Sequence, residues 1–315
     1  MQTYLKTKPV ISQLFLFIGL AFGLFMMAGF IGGAVLTKAY GISSSQLENS
    51  ASWKMDDYNL LNFFRWVLLI QFLFLFLIPS LLFAYFSDPS PVRYLGLRPP
   101  RKNVYWLLAI AIMLVSFFAV EYIGALNKNI KLGNDVQKWM TSLEEDASRQ
   151  TKFMIDRHTP AQLLMNILFV GVFAGVGEEL CFRGILQRML IRAFKNPWIG
   201  IIAGAMLFSI SHFQFFGFFP RLILGTLLGA LYWFSGSIWI SIAAHVIYNS
   251  TLVLLIYFRP QLLDGTDIPG SGSIPIALAS AALTVVLVWI IQKKSSTSFI
   301  DIYKNDRPQP DQFSF

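Results

Sequence analysis

Residues Leu163–Gly184 read LLMNILFVGVFAGVGEELCFRG, a nearly unbroken apolar and small-residue run that closes on Glu178, Glu179 and Arg183. Such a run matches the roughly 20 residues needed to cross the ~30 Å hydrocarbon layer at 1.5 Å per residue. Ionisable groups are costly in that layer and by default mark a functional site. Two more polar clusters stand in comparable surroundings downstream: Phe208-Ser-Ile-Ser-His212 and His245-Val-Ile-Tyr-Asn249.

The composition agrees with this reading. Of 315 residues, 55% are hydrophobic and 13% charged, with 30 Phe and 8 Trp, which excludes an ordinary soluble protein. A single cysteine, Cys181, excludes a disulfide framework and any zinc site made of several thiolates. The net charge of +8 is spread over connections between apolar runs rather than gathered on one basic face, so no nucleic-acid partner is expected.

Outward from the opening stretch, eight apolar runs are expected to span: Val10–Leu36, Phe63–Phe86, Val104–Ile123, Leu163–Leu180, Trp198–Phe213, Leu222–Phe234, Ile238–Phe258 and Ile274–Ile291. The fold class is therefore all-α, a polytopic membrane bundle of about eight helices. Four regions are expected: a three-span part over residues 1–123, an extracytoplasmic connection over 124–162, a core bearing the three polar clusters over 163–258, and a last span with a cytoplasmic tail over 259–315. The first run follows Lys6 and Lys8 but is too long for a signal core, so an uncleaved helix is expected.

The termini and the even-numbered connections share Lys6, Lys8, Arg93, Arg98, Arg101, Lys102, Arg188, Arg192, Lys195, Lys293, Lys294, Lys304 and Arg307. Both termini are accordingly expected in the cytoplasm of a cell whose inner (plasma) membrane holds the protein. The third connection is longer and mixes both signs of charge. Within it Val136, Trp139, Met140, Leu143 and Ala147 recur at helical spacing, with Asn134 or Asp135 as the expected N-cap. A helix lying on the outer surface as a cover is the expectation, with His158 at its edge in a surface role. The tail from Ser295 is expected to be loosely ordered. Gly171 with Gly175, and Gly225 with Gly229, have the spacing that lets helix backbones approach closely.

On one helix Glu179 and Arg183 are four residues apart and can pair, while Glu178 points about 100° away and keeps its carboxylate available. By the same periodicity His212 shares a face with Phe208, and Asn249 with His245. A carboxylate and an imidazole can polarise water, and His and Asn can donate to an oxygen that turns negative when water attacks a peptide carbonyl. Glu178, His212 and His245 would equally serve as ligands of a catalytic Zn2+, so the metal and metal-free versions stay open; the His-Glu-x-x-His helix is absent. Depth counts place Glu178 about 8 Å and His245 about 10 Å from the cytoplasmic edge, whereas His212 comes out about 21 Å deep if its helix enters at Trp198. That mismatch calls either for a fifth helix starting in the cytoplasm or for a strong tilt.

At these residues the chain resembles the CAAX protease and bacteriocin-processing family of intramembrane proteases, which includes type II prenyl endopeptidases and lysostaphin-resistance-like proteins. The resemblance is carried by Glu178-Glu179 to Arg183, with Phe182 and Gly184, then Phe208 to His212, then His245 to Asn249, and covers roughly Leu163–Leu254. It implies an eight-helix membrane endopeptidase whose cavity opens to the cytoplasm. Glu178 would activate water with His212, His245 and Asn249 would stabilise the oxyanion, and Glu179 and Arg183 would brace the site. The implied substrate is a membrane-bound protein or lipopeptide, prenylated if the likeness extends so far. The contrasting expectation is a non-catalytic immunity or scaffold protein of the same fold. A solute carrier ranks last, because the first three spans offer only Arg65 and Glu121, both near helix ends where they can snorkel.

Overall fold

The computed structural model describes residues 4–131, 133–156, 159–264 and 272–295; His158 and the tail beyond Ser295 lie outside them. The described residues form helices α1 (Val10–Tyr40), α2 (Tyr58–Ser87), α3 (Val104–Lys128), α4 (Asn134–Ile155), α5 (Pro160–Phe194), α6 (Pro197–Ile210), α7 (Phe218–Ser235), α8 (Ile238–Phe258) and α9 (Ile274–Lys294), with short turns between them. Seven are long and apolar enough to cross a membrane: all but α4 and α6. The protein is a polytopic helical bundle, close to the eight spans expected.

The exception is α6, which has 14 residues where the sequence suggested a span from Trp198 to Phe213. It ends early because the chain turns at Phe213, which has a φ of 53°. Its start is fixed by Asn196, whose side chain accepts from the amides of Trp198 and Ile199, and by Pro197 in the first turn. The opening stretch also extends further than expected, because Leu163–Leu180 is only part of the 35-residue α5. Wide π turns at Ile167–Phe173 and Leu180–Gln187 flank the Glu178-Glu179 pair within it.

This extension resolves the depth mismatch. α5 runs about 24 Å past Glu178 to Phe194, and α6 then climbs back about 21 Å, which returns the chain to the level of Glu178 at His212. The fifth helix thus starts lower, at the tip of α5.

The glycine pairs fix the crossings. A Cβ at Gly171 would fall 2.6 Å from Ser250 Oγ, and one at Gly175 would fall 2.7 Å from the Val246 side chain, so α8 rides directly on α5. Gly225 and Gly229 likewise admit Ala205 and Ile201 of α6. Since Val246 and Ser250 each follow a site residue, the crossing carries His245 and Asn249 to Glu178.

The amphipathic helix α4 forms, but Gly133 rather than Asn134 or Asp135 stands at its N-cap, with no side-chain cap bond. Arg65 does not snorkel. It is buried and donates to Gln162 Oε1 on α5.

Candidate active site

The sequence pairing of Glu179 and Arg183 is present, with Arg183 Nη1 2.6 Å from Glu179 Oε1 and both side chains almost fully buried. Arg183 also donates to the Gly225 carbonyl at 3.1 Å and lies over the Phe208 ring at 4.8 Å. One turn on, Gln187 repeats the pattern by donating to the Gly229 carbonyl at 3.2 Å. Two side chains four apart on α5 therefore read two carbonyls four apart on α7.

Glu179 Oε1 also receives His245 Nδ1 at 2.9 Å. A carboxylate accepts, so Nδ1 carries the proton and Nε2 is the nitrogen turned outward. That Nε2 is 3.7 Å from Glu178 Oε2. His212 is oriented in the same manner, with Nδ1 donating to the Phe208 carbonyl at 2.8 Å, which leaves its Nε2 lone pair available in the neutral ring. The Phe208 ring packs edge-on against both imidazoles, with centroids 4.9 Å from His212 and 5.9 Å from His245. Asn249 donates one of its two amide hydrogens to the Val170 carbonyl at 3.1 Å. Val170 lies in the first π turn of α5, where the loosened ladder offers carbonyls to outside donors.

Glu178, His212, His245 and Asn249 line one cavity of about 450 Å³. The α5 face that bears Glu178 also borders a smaller cleft of about 170 Å³ between α2 and α5, walled by Phe72, Phe76, Phe169 and Phe173. Glu178 thus stands between the larger chamber and an aromatic slot. Among the described residues, no three His, Cys, Asp or Glu side chains are grouped so as to hold a metal ion.

Several cavity residues escape the sequence reading. Arg221 of α7 lines the chamber and donates to the carbonyl and side chain of Gln214, and Gln214 donates in turn to Glu144 Oε1 at 3.5 Å. The helix α4, expected only to cover, thereby contributes a carboxylate to the cavity wall. Glu121 also lines the chamber instead of snorkelling. Asn127, buried at the end of α3, clamps the start of α7 by donating to the Phe215 carbonyl at 2.8 Å and accepting from the Phe219 amide at 3.1 Å. The clue to Asn127 was a polar residue at a helix end. Nothing local in sequence distinguished Arg221 or Glu144 from ordinary solvated charges.

Residues 160–251 match the model of the family described as type II CAAX prenyl endopeptidase Rce1-like. A curated relative, the uncharacterized protein YpbD of Bacillus subtilis (strain 168), is 27% identical over 137 residues, which are 42% of this chain. The chain spans 65% of the length of that relative. No solved structure matches. The matched segment runs from the start of α5 into α8 and contains every residue of the three polar clusters.

Proposed function

We propose that this protein is a membrane-embedded endopeptidase that hydrolyses a peptide bond of a membrane-associated substrate through water activated by Glu178 and His212. The observation that carries the reading is the convergence of Glu178, His212, His245 and Asn249, from two helices and a turn, on one cavity. Each leaves a reactive valence facing the chamber while its other polar atoms or its neighbours are held by the protein.

The chemistry follows from those valences. Water accepted between the Glu178 carboxylate and His212 Nε2 gives its proton to Glu178 as its oxygen attacks the carbonyl carbon. The carbonyl oxygen becomes an oxyanion and takes hydrogen bonds from His245 Nε2–H and the second Asn249 amide hydrogen. For His245 to donate there while Nδ1–H is given to Glu179, its ring must be doubly protonated. Two carboxylates, Glu178 and Glu179, then balance two cations, Arg183 and His245, which is the arrangement a low-dielectric interior tolerates best. Breakdown of the tetrahedral species breaks the C–N bond, and Glu178 returns its proton to the leaving amine.

The aromatic slot beside Glu178 supports a substrate with an apolar substituent, and a prenylated peptide or lipopeptide is the proposed class. The test is turnover by purified protein of a farnesylated peptide, compared with Glu178→Ala. Loss of cleavage in the variant, with unchanged expression, is expected. Equal turnover would reject Glu178 as base, and retained protection of cells by the variant would favour the scaffold reading.

A further inference from the structure

Of the residues proposed for the reaction, His212 stands on a turn instead of a helix. α6 ends at Ile210, the chain reverses at Phe213 in the left-handed region, and α7 begins at Phe218. The Phe213 side chain is exposed, so it does not anchor the reversal by burial. The His212 ring is oriented by the Phe208 carbonyl, but the backbone beneath it is loosely tied to α6. Its amide reaches the Ser209 carbonyl at 3.4 Å, longer than an ordinary N–H to carbonyl bond. Where His212 Nε2 stands therefore depends on what holds the rest of the turn.

Three side chains hold it, each through a main-chain carbonyl. Arg221 Nη1 donates to the Gln214 carbonyl at 3.2 Å, Asn127 Nδ2 to the Phe215 carbonyl at 2.8 Å, and Ser209 Oγ to the Phe218 carbonyl at 2.7 Å. Arg221 grips its residue twice, because Nη2 also donates to Gln214 Oε1. A planar guanidinium can span two acceptors in this way, whereas a lysine ammonium is a single point charge. Gly217 makes the room. A Cβ there would collide with the Arg221 guanidinium, although the Gly217 φ of −101° is open to any residue. The other end of Gln214 donates to Glu144 of α4 at 3.5 Å, so the brace also meets the covering helix.

We infer that Arg221 is a positioning residue for the hydrolysis: through Gln214 it holds the turn of residues 211–217, and so fixes where His212 Nε2 stands relative to Glu178. The inference rests on the reading of these two groups as sharing the attacking water. Such a water has to meet both at hydrogen-bond length, and a misplacement of about 1 Å costs on the order of 10²-fold in rate. Arg221 lines the chamber, so it has two rival roles, as a charge acting on Glu178 or as a contact to substrate. A charge would survive replacement by lysine. Loss of a substrate contact would raise KM.

The test is steady-state cleavage of a farnesylated peptide by the purified full-length protein and its variants, with folding followed by size exclusion and circular dichroism. Arg221→Lys keeps the charge and loses the two-pronged grip, and Gly217→Ala displaces the guanidinium with one methyl group and no change of charge. Each is expected to lower kcat by ~10–100-fold with KM little changed. Gln214→Ala should fall in the same direction, and adding Arg221→Lys to it should cost little more, because the two side chains act through one contact. Wild-type kcat in Arg221→Lys, a loss confined to KM, or full multiplication of the two losses overturns the inference. Should Arg221→Lys fail to fold, Gly217→Ala decides: wild-type kcat there overturns the brace as well. The expected losses at positions 217 and 221 together with undiminished cleavage by Glu178→Ala would sink the proposed base and leave the brace standing. An inactive Glu178→Ala beside fully active Gly217→Ala and Arg221→Lys would do the reverse.

Discussion

Adjacent residues of α5 divide the molecule into two regions. Below Glu178 the polar groups are sealed: Glu179 holds Arg183 and His245, Arg183 and Gln187 take the Gly225 and Gly229 carbonyls, and all are buried. Above it the same residue types are held at one atom and free at another, as in His212 and Asn249, whose second valences face the chamber. Burial with every valence engaged makes a polar group structural, and burial with one valence turned into a cavity makes it available for chemistry. The two neighbouring glutamates differ in their surroundings: Glu179 is fully buried against Arg183 and His245, whereas Glu178 lines the cavity, and the 100° between them is the cause.

The largest effect should come from breaking the upper region at its centre. Glu178→Gln is expected to lower turnover of a farnesylated peptide by ~10³-fold or more, near the range for loss of an acid–base group, with thermal stability little changed. A full loss of folded protein on size exclusion would instead move Glu178 into the structural class. Next, Asn249→Ala is expected to cost about 10²-fold in kcat with little change in KM, as for loss of one oxyanion donor. An effect confined to stability would mean that its bond to Val170 is its whole role.

Breaking the lower region should read out differently. Arg183→Ala leaves the buried Glu179 carboxylate without its main partner, and should destabilise the fold by about 3–5 kcal/mol, visible as a fall in thermal midpoint in detergent. A stable Arg183→Ala protein with lost activity would blur the division between the regions. Gly175→Val should act through geometry, since its side chain has to displace Val246 and with it His245; reduced activity with retained helicity by circular dichroism is expected.

The smallest effect lies at Asp88, which pairs with Lys6 and Arg93. Burial pushes the Asp88 carboxyl up, but hydrogen bonds from Lys6, the Ser90 amide and Arg93 outweigh it and hold Asp88 below the usual carboxylate range. A depressed carboxylate contributes stability that is present above its unfolded pKa and lost as pH falls through the folded value. Stability is therefore expected to drop in acid below about pH 4, and Asp88→Asn should flatten that part of the pH profile by ~1 kcal/mol or less.

Much of this was legible before any coordinates. Apolar periodicity and length located the helices, and the i to i+4 rule paired Glu179 with Arg183 and turned Glu178 away, because both depend only on local helix geometry. The same local reasoning failed at α6. Fourteen apolar residues followed by a turn look like a span until the extra length of α5 shows where that helix begins. The bond from His245 to Glu179, the Val170 carbonyl that holds Asn249, and the arrival of Glu144 and Arg221 at the chamber were invisible, since each joins residues far apart in sequence.

The sequence by itself determined which residues are costly in a membrane, and hence which helices form and which side chains are candidates for a site. Only the tertiary structure decided which valences are used up and how the donors around Glu178 are spaced. Those depend on how closely helices approach, and the approach is set by glycines meeting side chains that no local rule connects.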